Sequence, residues 1–119
     1  MINSSQYQDL FKSITSELEG DWVVTGGTLL ELINTDARVT SDIDLCSIDE
    51  LTNQKRMALM KLVEMAGFSV ESLNPSADYF LKQIPDWEKS IVLLQSGEKG
   101  NLFRPTLELY IHLKLQRAT

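Results

Sequence analysis

The sequence predicts a small mixed α/β or α+β fold, in which a mixed sheet is flanked by helices that lie mainly on one side. Three observations favour this class. Apolar side chains near the N-terminus recur at three- and four-residue spacing, as on one face of a helix. A short apolar run at residues 21–25 contains β-branched valines, which are typical of a buried strand. Along the chain, the predicted order is helix, strand, helix, strand, helix, a run of strands and a last helix.

The first half of the chain predicts two strands and two helices. The first helix, residues 3–19, is predicted from one apolar stripe that comprises Tyr7, Leu10, Phe11, Ile14 and Leu18. Gly20 ends this helix, and the strand at residues 21–25 follows. Gly26-Gly27-Thr28 then opens a predicted helix that continues to about residue 34, and the next strand spans about residues 42–47.

A third helix is predicted from residue 51 or 52 to residue 66. Ser47 and Glu50 have the spacing of a capping box in front of this helix. Gly67 is the expected residue at its C-terminal end.

The rest of the chain alternates short apolar segments with turn residues. This pattern predicts strands at residues 68–73, 78–84, 89–95 and 102–104. Thr106 is a good N-cap for the last predicted helix, residues 107–116.

The composition limits the classes of function. All 119 residues are expected to form one domain, residues 1–119, with 43% apolar and 24% charged residues, as in soluble globular proteins. The net charge of −6 argues against broad nucleic-acid binding, which needs clustered Lys and Arg. The apolar runs are well short of the roughly eighteen residues that span a membrane, and no signal pattern is seen, so a cytoplasmic protein is expected. The single Cys46 is interpreted as a packing residue, and the single His112 as a packing or surface residue.

The double glycine indicates a phosphate site. Gly26 and Gly27 have no Cβ atoms, so a phosphate can approach the backbone closely, and the first N–H groups of the following helix are unpaired. Thr28 can add a hydroxyl donor to the same oxyanion. The alternative is a tight strand-to-helix turn without a ligand.

Two aspartates on the second strand indicate a metal site. Asp42 and Asp44 are two residues apart, so an extended strand projects both carboxylates from one face, about 7 Å apart at the backbone. Ile43 and Leu45 then project from the other face, where they can be buried. Neighbouring carboxylates repel each other unless a cation lies between them, and oxygen ligands suit Mg²⁺. The alternative is a pair of acids on a solvated strand edge.

The stretch from Trp22 to Leu45, WVVTGGTLLELINTDARVTSDIDL, resembles the signature of the nucleotidyltransferase superfamily. The GGT followed by Arg38-x-Thr40-x-Asp42-x-Asp44 is most similar to a bacterial branch that contains toxin-type nucleotidyltransferases and uncharacterised proteins. Later pieces with similarity to that branch are SADYFL, PDWE, FRPT and LKLQR. The resemblance implies transfer of a nucleoside monophosphate from an NTP such as ATP to an unknown acceptor (protein, RNA or small molecule). One or two Mg²⁺ ions, held by the two aspartates, would assist this reaction.

The resemblance also implies a third carboxylate on a later strand. Asp78, in SADYFL, is the first choice, with Glu71 and Glu88 as alternatives. The other interpretation of Asp78 is a turn-capping residue.

Two basic residues are candidates for contact with the nucleotide. Arg38 either neutralises phosphate charge or holds the acid strand in place. Lys114, in LKLQR, lies on a helix that resembles one whose lysine faces the nucleotide, and the alternative is a surface lysine. In that branch an acidic helix commonly follows, whereas this sequence stops at Thr119, so either this is a shortened form or a partner subunit supplies the missing piece. A partner protein or a homo-oligomer is accordingly among the expected partners. A different class of function is a nucleotide-binding or interaction module without catalysis, as one half of a toxin–antitoxin pair. A structural α/β domain is a third.

Overall fold

The computed structural model describes residues 4–25, 43–73, 79 and 81–118. In these residues the helices are α1 (Ser4–Glu17), α2 (Asn53–Met65) and α3 (Leu107–Ala118), and the strands are β1 (Gly20–Val24), β2 (Leu45–Ser47), β3 (Ile91–Ser96) and β4 (Gly100–Pro105). Two short 3₁₀ helices are Val70–Ser72 and Trp87–Ser90. No helix in the described ranges is both long enough and apolar enough to span a bilayer.

The strands form one mixed sheet in the order β2-β1-β4-β3. β1 is antiparallel to β2 and parallel to β4, and β3 is antiparallel to β4. β1 is therefore an inner strand, in agreement with its apolar sequence. The prediction of a small mixed sheet flanked by helices is confirmed.

One face of the sheet, here called the α1/α2 face, is covered by α1 and α2. Its core, the first core, consists of Tyr7, Leu10, Phe11, Ile14, Leu18, Trp22, Val24, Ile43, Leu59, Leu62, Val63, Phe68 and Leu102. The rings of Tyr7 and Phe68 lie 5.0 Å apart between centroids in a tilted arrangement, which aromatic pairs favour over a flat sandwich. The apolar stripe predicted for the first helix is thus its buried face.

The opposite face, here called the α3 face, is covered by α3 and by the segment before β3. Its core, the second core, is smaller and consists of Val23, Cys46, Leu81, Ile84, Trp87, Leu109 and Leu113. Since Val23 lies between Trp22 and Val24, successive residues of β1 enter opposite cores. The sheet is therefore buried on both faces, with two of the three named helices on one of them.

The N-terminus of α2 differs from the prediction. Thr52 is the N-cap, and its Oγ1 accepts a hydrogen bond from the Lys55 backbone N–H at 3.2 Å. The hydroxyl of Ser47 instead donates to the carbonyl of Asp49 at 2.8 Å. The predicted capping box of Ser47 and Glu50 is therefore wrong, because Ser47 is held in β2 by strand pairing.

The C-terminus of α2 agrees with the prediction. Gly67 follows the helix with a φ of +93°, a conformation that favours glycine. Its N–H donates to the Glu64 carbonyl at 3.0 Å, and the Phe68 N–H donates to the Val63 carbonyl at 3.0 Å. This hydrogen-bond pair is a Schellman motif, and it brings Phe68 and Val63 together in the first core.

The C-terminal hairpin and helix also agree with the prediction. β3 and β4 form an antiparallel hairpin, closed by a hydrogen bond from the Gly97 N–H to the Gly100 carbonyl at 2.9 Å. The Oγ1 of Thr106 accepts the Leu109 N–H at 3.3 Å, so Thr106 caps α3.

Two predicted strands are wrong. Residues 68–73 contain the 3₁₀ helix Val70–Ser72, whose N-cap Ser69 accepts the Glu71 N–H at 3.2 Å, and only Leu73 forms a bridge, parallel to Ile43. Within residues 78–84, positions 79, 81 and 82 are helical. The buried side chains of this region, Leu81, Ile84 and Trp87, recur every three residues, which is closer to helical than to strand spacing. The strand predicted at 89–95 is confirmed but begins later, at Ile91, after a 3₁₀ turn.

Candidate functional site

The end of β1 lies beside Asp44. The Val24–Leu45 pair is the last in the β1–β2 ladder, and the Thr25 N–H donates to the Asp44 carbonyl at 2.9 Å. Thr25 directly precedes Gly26 in the sequence. The strand that leads into the double glycine therefore contacts one of the two predicted metal-binding aspartates through its backbone.

The side chain of Asp44 belongs to the α3 face. Along β2, Leu45 packs against the first core and Cys46 lies in the second. Since strand side chains alternate, Asp44 shares the face of Cys46, and Thr25 shares the face of Val23. The hydrogen bond from the Thr25 N–H to the Asp44 carbonyl continues the antiparallel pairing of β1 and β2 by one residue, so Thr25 lies opposite Asp44.

The predicted division of the acid strand into two faces agrees with the burial of its apolar residues. Ile43 is fully buried in the first core, and Leu45 packs against that core. Asp44 itself is only 4% exposed, and Thr25 is 5% exposed. This burial contradicts a solvated strand edge at Asp44. A carboxylate removed from water must be offset by polar partners or by a cation.

The helix that carries Lys114 covers the same face. Leu109 and Leu113 of α3 pack in the second core with Val23 and Cys46. Lys114 follows Leu113 in this helix, and its side chain lies outside the described part of the structure. α3, which contains Lys114, thus lies on the face of the sheet to which Asp44 belongs.

The other predicted site residues lie outside the described residues. These are Gly26, Gly27, Thr28, Arg38, Thr40, Asp42 and Asp78. Among the residues that the structure describes, no group of three or more His, Cys, Asp or Glu could hold a metal ion together. Asp42 and Asp78 are not part of that set, so the metal site stays a prediction.

The two alternatives for a third acid are exposed. Glu71 lies in the 3₁₀ helix Val70–Ser72. The next residue, Ser72, accepts the Ile43 N–H at 2.7 Å, so the backbone after Glu71 runs along the acid strand. Glu88 lies in the second 3₁₀ helix beside Trp87, which is buried in the second core.

Cys46 and His112 have the structural surroundings that the sequence predicts. Cys46 is a buried thiol in the second core. His112 is exposed on α3. Trp22 and Trp87 are buried in the first and second cores. The Nζ of Lys55 lies 5.5 Å from the centroid of the Trp22 ring, within the range of a cation–π contact.

One neighbour of the site was missed in the sequence. Thr25 is the last residue of the predicted first strand, but its pairing with Asp44 depends on the antiparallel register of β1 and β2. The sequence signal that could have identified Thr25 is its position, because it is the polar residue between a buried strand and the double glycine.

Comparison with known protein families, with curated proteins and with solved structures finds no match.

Proposed function

We propose that this chain is a Mg²⁺-dependent nucleotidyltransferase that transfers a nucleoside monophosphate from an NTP to an acceptor hydroxyl. The attacking oxygen forms a bond to the α-phosphorus, the bond to the bridging oxygen breaks, and pyrophosphate leaves. The hydroxyl proton is lost as the new bond forms. The observation that supports this proposal is the backbone hydrogen bond from Thr25 to Asp44, because Thr25 directly precedes the double glycine in the sequence.

The residues present suit the binding of a metal–triphosphate. Asp42 and Asp44 would hold one or two Mg²⁺ ions, which orient phosphates and lower the pKa of an attacking hydroxyl. Asp44 is buried, and charge interactions are stronger where water is excluded. Gly26, Gly27 and Thr28 would donate to a phosphate at the end of β1.

The remaining predicted residues complete the proposal. Asp78 would serve as the third carboxylate, Arg38 would neutralise phosphate charge, and Lys114 on α3 would contact the triphosphate. α3 supports this role of Lys114 because it covers the face to which Asp44 belongs. The proposal also places the protein in the cytoplasm, where NTPs are available.

The test is Mg²⁺-dependent thermal stabilisation by ATP, GTP, CTP or UTP. A ligand at a hundred times its dissociation constant adds about 2.7 kcal/mol to the free energy of unfolding. We expect this gain with one of the four NTPs, its loss in Asp44→Asn, and its loss when EDTA removes Mg²⁺. Asp9→Asn is the matched control, because Asp9 is an exposed acid on α1.

The unliganded melting temperature of each variant shows whether it folds. A folded Asp44→Asn protein that keeps the full NTP gain contradicts the proposal, as does the absence of a gain with all four NTPs. Pyrophosphate release is then measured with tRNA and protein acceptors. Binding without release in any of these mixtures favours a noncatalytic nucleotide-binding module instead.

A further inference from the structure

A cavity of about 480 Å³ lies on the α1/α2 face, between β2, α2 and the first 3₁₀ helix. Its strand residues, Trp22, Leu45 and Ser47, project from this face. The side chain of Asp44 projects from the opposite face, and Asp44 does not line the cavity. Its volume falls within the range of roughly 300–1,000 Å³ that is typical of small-molecule sites.

The inner wall of the cavity is apolar. It is formed by side chains from the strands, α2 and the first 3₁₀ helix: Trp22, Leu45, Leu59, Met60, Val70 and Leu73. Trp22 is 1% exposed, and its indole N–H has no hydrogen-bond partner among the described residues. These walls suit an apolar body, because contact with it removes further apolar surface from water.

Charged side chains lie at the outer part of the cavity. Arg56 and Lys82 line it together with Glu50, and all three residues are exposed. Within the described residues no ion pair joins Arg56 to a carboxylate. A guanidinium is planar and binds a carboxylate through two parallel hydrogen bonds.

We propose that this cavity binds a small amphipathic monocarboxylate. The apolar part of the ligand lies against Met60 and Val70, and its carboxylate pairs with Arg56, with Lys82 adding positive charge. Glu50 disfavours a second negative charge on the ligand, so a singly charged carboxylate is preferred over a doubly charged phosphate ester. Neither Mg²⁺ nor an NTP takes part in this binding.

The experiment is a calorimetric titration of the full chain with octanoate, in the absence of Mg²⁺ and nucleotide. Octyl phosphate and octylamine are titrated in parallel, since they carry the same apolar chain with a different charge. We expect saturable binding of octanoate, at least threefold weaker binding of octyl phosphate and no saturable binding of octylamine.

Two variants locate the site. Arg56→Gln is expected to weaken octanoate binding at least tenfold, and Lys61→Gln is expected to leave it unchanged. Lys61 is the matched control because it is an exposed cation on the same helix but does not line the cavity. Both positions are exposed, and far-UV circular dichroism checks the fold of each variant.

Three results would overturn the proposal. These are no saturable binding of octanoate, equal binding of octylamine, and an unchanged affinity in Arg56→Gln. Tighter binding of octyl phosphate would overturn the preference for a monocarboxylate and assign the cavity to a phosphate ester. Since Mg²⁺ and NTPs are absent throughout, failure here leaves the nucleotidyltransferase proposal standing, and the reverse also holds.

Discussion

The two faces of the sheet are built from different kinds of residues. The first core on the α1/α2 face contains the large aromatic rings of Tyr7, Phe11 and Phe68. The α3 face carries the smaller second core, and it also holds the buried carboxyl group of Asp44. Large apolar side chains supply most of the free energy of burial, whereas buried carboxylates oppose it. We therefore expect the α1/α2 face to contribute most of the free energy of unfolding and the α3 face to carry the proposed nucleotide chemistry.

The largest expected effect comes from truncating the first core. Phe11→Ala removes a fully buried ring from α1 and is expected to lower the free energy of unfolding by about 3–5 kcal/mol. Leu115→Ala is the control, because Leu115 is 64% exposed on α3 and its loss is expected to cost within about 0.5 kcal/mol. Urea denaturation measures both values. A loss below about 1 kcal/mol in Phe11→Ala would contradict the assignment of stability to this face.

Local sequence signals explain why most helices and strands of the fold were predictable. Periodicity predicts the apolar stripe of α1, and β-branched residues predict β1. The cap residues Gly67 and Thr106 are predictable because each bonds to backbone groups of its own helix. The hairpin of β3 and β4 likewise follows from turn residues between two short apolar segments.

The errors occurred where tertiary contacts decide the structure. Residues 68–73 and 78–84 read as strands, but short apolar runs do not distinguish a strand from a helical turn by pattern alone. Leu81 lies in a helical turn and Ile84 in the bend that follows, because in this arrangement both side chains fill the second core beneath α3. The capping box failed for a similar reason, since the pairing of Ser47 with Trp22 is a contact between distant residues.

The site was predictable only in part. Alternation along a strand predicts which face Asp44 occupies, and Ile43 and Leu45 agree with it. The burial of Asp44 was not predictable, because it depends on the packing of α3 against a sheet formed by distant segments. The partnership with Thr25 depends in the same way on the register of β1 and β2.

A second pair of variants separates stability from nucleotide binding. Leu109→Ala on α3 and Leu62→Ala on α2 each remove a buried leucine and are expected to cost about 2–4 kcal/mol. The increase in stability on binding Mg²⁺·NTP is expected to fall only in Leu109→Ala. Leu109 positions, on the α3 face, the helix that carries Lys114. The melting temperatures of each variant with and without Mg²⁺·NTP measure both effects. If Leu62→Ala reduces the NTP gain as much as Leu109→Ala does, the two faces do not differ in function.

The smallest expected effect comes from the two helix caps, which are closely matched. Thr52 accepts the Lys55 N–H at 3.2 Å on α2, and Thr106 accepts the Leu109 N–H at 3.3 Å on α3. Replacing either threonine by alanine is expected to cost about 1 kcal/mol, since one N-terminal donor of the helix loses its partner. Amide hydrogen exchange is expected to accelerate in the first turn of the helix concerned and to stay unchanged in the other.

The two cap variants also test whether the faces differ in nucleotide binding, because they cost nearly equal stability. Thr106→Ala loosens the start of α3 and is expected to reduce the Mg²⁺·NTP gain slightly, whereas Thr52→Ala is expected to preserve it. Because the two substitutions are chemically identical, a difference in nucleotide binding reports the position of the helix rather than the loss of a methyl or hydroxyl group. An equal reduction in both variants would show that nucleotide binding follows overall stability, and the role assigned to α3 would then be wrong.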